Sequence, residues 1–153
     1  MDLIDELGQI TTAFNEAEIE FALCGGLAMA AHGLIRATED IDVIVRSEDL
    51  SSARTAVASC GFTILGGEIP LRVGTTDEGL IFRVSKVIGA ELLPLDIMLV
   101  TPAYETIWQT RTFASIGEYE IPVVSREGMI KMKMLSGRTK DQTDLDFLRS
   151  KDD

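Results

Sequence analysis

The chain has 153 residues, 46% of them apolar and 25% charged, with a formal net charge of −11. That length suffices to bury most of what the unfolded chain would expose, and no disordered or low-complexity block interrupts it, so a single domain spanning residues 1–153 is expected. The acidic balance argues against a protein that grips long nucleic acid through nonspecific phosphate contacts; the short apolar runs argue against a membrane helix, and with an acidic amino end in place of a basic leader a cytoplasmic location is expected.

In chain order, Leu3, Ile4, Leu7, Ile10 and Phe14 recur at three- and four-residue steps, which predicts an amphipathic helix over residues 2–17. Residues 19–24 read as a short buried strand, Gly25-Gly26 as a tight turn, and residues 27–32 as a helix stopped by Gly33. Residues 41–45 have the β-branched composition of a second buried strand. Ser47 then offers an N-cap, followed by acids in the first turn of a helix that ends near Gly61. Two well-separated cysteines, Cys24 and Cys60, lack the spacing of a zinc or redox motif and read as buried, reduced thiols.

Residues 62–100 have the pattern of antiparallel sheet, with strands at 80–88 and 95–100 and turn signals at Gly66-Gly67, residues 74–79 and Gly89-Ala90. Thr101 and Pro102 open a helix through Trp108, and residues 112–116 and 119–124 form a hairpin about Gly117-Glu118. Ser125 caps a helix to Leu135, and a last helix runs over residues 141–148. Within this final third, residues 126–140 gather Arg126, Lys131, Lys133, Arg138 and Lys140 against one acid, Glu127, which leaves room for a local polyphosphate site.

The chemistry concentrates in residues 25–42. A strand alternates its faces, so Asp40 and Asp42 aim two carboxylates at one place while Ile41 turns into the core. Asp96 lies inside a second apolar strand, where an ionised carboxylate needs a partner or a metal. If the two strands are neighbours, three carboxylates converge. Such a cluster repels itself without a cation, and its hard oxygen donors suit Mg²⁺ or Mn²⁺.

Gly25-Gly26, thirteen intervening residues, Asp40-Ile41-Asp42 and the later Leu95-Asp96-Ile97 resemble the signature of the nucleotidyltransferase superfamily that shares the DNA polymerase β palm fold. The stretch through His32-Gly33, Arg36-Ala37-Thr38 and Asp40-Ile41-Asp42 is most similar to small bacterial members, including minimal nucleotidyltransferases and toxins of abortive-infection systems. The resemblance covers about residues 18–100. It implies an α/β (α+β) nucleotidyltransferase fold, a mixed and mostly antiparallel sheet flanked by helices. It also implies that Gly25 and Gly26 approach a nucleoside triphosphate, that Asp40 and Asp42 hold two divalent ions, and that Asp96 completes the catalytic metal site and helps deprotonate an acceptor hydroxyl. The implied reaction moves a nucleoside monophosphate from the triphosphate to an acceptor that the sequence does not name, within a toxin and antitoxin system or outside one.

Several residues carry two readings. Arg36 and Thr38, in the loop before the acidic strand, either bind phosphate or, for Arg36, neutralise the carboxylates. Lys131 and Lys133 either contact the triphosphate or form a solvated helix face, and His32 is either a general base or a helix C-cap. Arg138, Lys140, Asp141 and Asp144 resemble a run common near the end of these small domains and read as ion-pair formers. Met129, Met132 and Met134 read as core filler, and Tyr104 and Trp108 as buried rather than stacked on a base. A small helical partner protein or self-association is expected to finish the cleft. Two rival functions remain open: a noncatalytic nucleotide- or metal-binding regulatory module, and an acidic sheet that is purely structural, with Arg36, Arg83 and Lys86 pairing its carboxylates.

Overall fold

Leu7, Ile10 and Phe14 have no exposed surface, and they fix the first helix, α1 (Leu3–Glu16), against the rest of the chain. The computed structural model describes residues 1–150; residues 151–153 of the expected domain lie outside the described part. Asp2 caps α1 by accepting from the backbone N–H of Ile4 and Asp5. Glu18, with φ of 57°, turns the chain into β1 (Ala22–Cys24). The strand is shorter than the buried stretch 19–24 suggests. Its ladder with the next strand reaches only to Ala22, so Ile19 and Phe21 are buried by side-chain packing without strand pairing.

The helix α2 (Gly25–Ala31) begins at the glycine pair itself, so Gly25 and Gly26 form its first turn instead of a separate loop. A loop leads to β2 (Ile41–Val45), a one-turn 3-10 segment Ser47–Asp49 and α3 (Leu50–Ala58). Ser47 makes no capping hydrogen bond, and the 3-10 turn occupies the place expected for the start of the helix. Three long strands follow, β3 (Ile64–Leu71), β4 (Gly79–Ile88) and β5 (Glu91–Leu99). Gly66-Gly67 does not turn the chain; it forms an irregularity inside β3 where the register with β4 slips. A 3-10 turn, Pro102–Tyr104, precedes α4 (Glu105–Gln109), and the hairpin β6 (Thr112–Ile116) and β7 (Tyr119–Val123) leads to α5 (Arg126–Ser136), a 3-10 turn at Thr139–Asp141 and α6 (Gln142–Ser150). Ser125 caps α5 by accepting from Gly128 N–H, as its position before the helix predicts.

The seven strands form one sheet in the order β3-β4-β5-β2-β1-β7-β6. The pairings β2·β5 and β1·β7 are parallel and the other four antiparallel, which is the mixed, mostly antiparallel sheet expected. Alternation along β4 separates the two faces: Phe82 and Val84 are buried, and Lys86 reaches Glu6 of α1, whereas Ile81 and Arg83 point to the opposite side. The central parallel pair sets Asp42 directly beside Asp96. No helix among the described residues is long and apolar enough to cross a membrane.

Candidate active site

Period-two alternation along β2 brings Asp40 and Asp42 to one face, and the β2·β5 register adds Asp96 from the neighbouring strand. One carboxylate oxygen from each lies within 4.8 Å of the others. Ile41, between the two acids, has no exposed surface, as its predicted inward orientation requires. Burial together with the charges of Asp40 and Asp96 pushes the Asp42 carboxyl up to about 7 from its usual 3.8; Lys133 and Arg83 oppose that rise without cancelling it. No ion pair reaches Asp40 or Asp42 among the described residues. Three close carboxylates with an incompletely neutralised member form a donor set that fits a hard divalent cation.

The glycines matter because the acidic strand presses against the start of α2. Gly25 has φ of +70°, and a Cβ there would stand 2.1 Å from Asp42 Oδ2; at Gly26 it would stand 2.7 Å from Thr38 Oγ1. Thr38 in turn donates its hydroxyl toward the Asp40 backbone carbonyl at 3.4 Å. These residues line a cleft of about 640 Å³, whose other walls include Arg83, Met98, Tyr104 and Lys133. The cleft can enclose a nucleotide-sized ligand beside the carboxylates.

The family model described as "Nucleotidyl transferase AbiEii toxin, Type IV TA system" matches residues 11–152 of this chain. The chain belongs to that AbiEii nucleotidyltransferase family. Its fold is similar to that of a lincosamide antibiotic adenylyltransferase, LnuA, solved with lincomycin bound (17% identity, 95% of this chain and 96% of that one, TM-score 0.65). It is also similar to ANT(2")-Ia, solved with adenylyl-2"-tobramycin (16% identity, 97% of this chain and 88% of that one, TM-score 0.64). No curated protein sequence matches the chain significantly. The resemblance seen in the glycine and aspartate motifs is thereby established, and with it nucleotidyltransferase enzyme activity as the family's chemistry.

In this AbiEii-family chain three basic residues of the cleft, Arg36, Lys133 and Arg138, are held by acids from its carboxyl-terminal third. Arg36 forks onto Asp144, with Nε 3.1 Å from Oδ1 and Nη2 2.9 Å from Oδ2, so it does not pair with the Asp40, Asp42 and Asp96 cluster. Buried Lys133 pairs with Asp141 at 3.2 Å and Asp144 at 3.0 Å, and Arg138 and the Ser136 hydroxyl also reach Asp141. Burial would raise Asp141, but Ser136, Arg138 and Lys133 outweigh it and hold the carboxyl below its ordinary range. The expected ion-pair role of Arg138, Asp141 and Asp144 is therefore present; the side chain of Lys140 lies outside the described part. Lys133→Met would leave two buried carboxylates with only their arginine and serine partners, and is expected to destabilise the fold by roughly 2 kcal/mol in urea titration. An unchanged midpoint would contradict this account of the network.

The remaining candidates divide by location. Lys131 lies exposed on α5 and does not line the cleft, whereas Lys133 does. His32 is the C-cap of α2 and its Nε2 lies 2.8 Å from the Val124 carbonyl, a tether between α2 and the end of β7. Trp108 is buried, with the guanidinium groups of Arg46 and Arg111 set over its ring. Tyr104 is buried yet reaches the cleft, where its hydroxyl accepts from Arg72. Met129 and Met132 pack against or into the core, but Met134 is 58% exposed and is not core filler. Cys24 is buried, which pushes its thiol well above the ordinary value, with Asp42 adding to the rise; Cys60 is only partly covered. The purely structural reading of the acids keeps one of its three pairs: Arg83 binds Asp96, while Lys86 binds Glu6 on the other face and Arg36 binds Asp144. Arg72 was not legible as a cleft residue, because only the turn between β3 and β4 brings it there, whereas Tyr104, read as buried, reaches the cleft from the 3-10 turn after β5.

Proposed function

We propose that the chain transfers a nucleoside monophosphate from a nucleoside triphosphate to a hydroxyl of an acceptor, with Asp40, Asp42 and Asp96 holding divalent ions, Mg²⁺ or Mn²⁺. The observation that carries this reading is the approach of the three carboxylates within 4.8 Å at the wall of an open cleft. Bound divalent ions would neutralise the triphosphate and polarise the reacting oxygens. Gly25 and Gly26 let the nucleotide approach the backbone closely, and Arg36, Thr38 and Lys133 lie along the same cleft as candidate phosphate contacts. Lys131 would reach a phosphate only by extending from the exposed face of α5. Asp96, beside Asp42, would accept the acceptor's proton as the new bond to the α-phosphorus forms and pyrophosphate leaves.

The toxin role in the family description supports placing the chain in a toxin and antitoxin pair, with a small helical protein or a second copy completing the acceptor side. Of the structures of similar fold, one is a lincosamide antibiotic adenylyltransferase with lincomycin bound and the other holds adenylyl-2"-tobramycin, which supports a small acceptor as the second candidate. Incubation of the full chain with each labelled nucleoside triphosphate, Mn²⁺ and in turn protein, tRNA and small hydroxylated acceptors should release pyrophosphate with at least one combination. Release should require the metal and Asp96. Nucleotide binding without release in every combination would replace the enzyme by the noncatalytic binding module.

A further inference from the structure

Among the described residues, Asp96 is the one carboxylate of the three that is paired with a cationic side chain. The β4·β5 register sets Arg83 opposite Asp96 on the cleft face, where Arg83 Nε donates to Oδ1 at 2.7 Å and Nη2 to Oδ2 at 2.9 Å. A fork of this kind occupies both carboxylate oxygens and competes directly with a cation for them. The two partners are differently placed: the Asp96 side chain is 10% exposed and that of Arg83 is 40% exposed. The guanidinium therefore covers the carboxylate from the solvent side. It has an open direction in which to leave, and Asp96 does not.

The sheet is shaped around the Arg83 stem. The irregularity in β3 falls at its neighbour, and a Cβ at Gly66 would stand 2.7 Å from Arg83 Cγ and 3.0 Å from Cδ. Gly66 thus keeps clear the ground over which the arginine lies. Asp40 and Asp42 have no corresponding cover, so the cluster is asymmetric, with two open acids and one latched.

We infer that Arg83 is a positioning residue that latches Asp96 and surrenders it when a nucleotide phosphate takes the guanidinium. The inference rests on the metal-dependent transfer proposed above. A planar guanidinium binds phosphate oxygens by the same fork that it uses on a carboxylate, so the exchange trades one charge-assisted pair for another. Asp40 and Asp42 are then available before the nucleotide arrives and Asp96 only afterwards. The order protects the protein from assembling its full cation site without substrate.

The test uses the full chain and Mn²⁺ alone, with binding read by calorimetry and by the electron paramagnetic resonance of the free ion. Arg83→Met is expected to bind Mn²⁺ at least about tenfold more tightly than the wild type or to take up a second ion per chain, and Asp96→Asn in that background should cancel the gain. Arg83→Lys keeps the charge without the fork and should show a smaller gain, which serves if the methionine variant does not fold. In turnover, Arg83→Met should lose kcat while needing less metal for half-saturation. Folded Arg83 variants with wild-type affinity and stoichiometry overturn the latch. If binding is still lost in Asp42→Asn, only the latch fails; if neither the wild type nor any variant binds Mn²⁺, the metal site and the latch fail together.

Discussion

Asp42→Asn is expected to reduce nucleotide transfer by on the order of 10³-fold while making the chelator-treated protein more stable above pH 7. The two effects have one cause. Asp42 faces Asp40 just before its own strand, Asp96 on β5 and the Cys24 thiol at the end of β1, against Lys133 from α5 and Arg83 from β4. Burial and the like charges raise its folded-state value from 3.8 to about 7, so the native state holds the proton more tightly than the unfolded chain does. The sign follows from that difference. Below about pH 4 both states are protonated and the wild type carries no penalty; as pH rises the unfolded chain ionises first, and the penalty grows until it is complete above pH 7. A shift of about three pH units corresponds to roughly 4 kcal/mol.

Asparagine resembles the protonated acid and does not titrate. Urea titrations should show the variant and the wild type nearly equal at pH 4 and the variant more stable by a few kcal/mol at pH 8.5. Added Mg²⁺ should stabilise the wild type and leave the variant unchanged. A variant that is less stable at pH 8.5, or that retains a tenth of the transfer activity, would show that Asp42 serves the fold and not a cation site.

Much of this site was legible because strand periodicity is a local property. The pair Asp40 and Asp42 with Ile41 between them fixes which way each side chain points, whatever the sheet around them does. Asp96 was legible for a different reason: an acid in an apolar strand needs a partner, and the structure supplies one in Arg83 while the β2·β5 register adds Asp96 to the other two acids. The partner of Arg36 was not legible. Arg36 and Asp144 are 108 positions apart, and nothing local distinguishes that pair from one between Arg36 and the acidic strand. The glycines at 66 and 67 misled for a related reason. A double glycine marks unusual backbone, but only the neighbouring strand determines whether that backbone is a turn or a bulge. Arg83 was visible as a possible partner of the acids, but its bidentate grip depends on a β4·β5 register that no short segment specifies.

Gly25→Ala should disable the site from the other side. The substitution forces a residue with a Cβ to keep φ of +70°, which disfavours the fold by about 1 kcal/mol before any contact is counted. The new methyl would also stand 2.1 Å from Oδ2, 2.7 Å from Cγ and 2.9 Å from Cβ of Asp42. Rotating the carboxylate away from Asp40 and Asp96 relieves the first two distances, but the third involves the stem of the side chain and yields only if β2 moves away from α2. The expected outcome is a loss of about 2–4 kcal/mol in urea titration together with loss of Mn²⁺ binding and transfer. A double-mutant cycle separates strain from contact. Asp42→Gly in the Gly25→Ala background removes every atom of the clash, so it should recover most of the stability beyond the backbone term and none of the activity. Additive effects of the two substitutions would mean that the helix start and the acidic strand do not touch, and the close approach that Gly25 permits would then have no part in shaping the site.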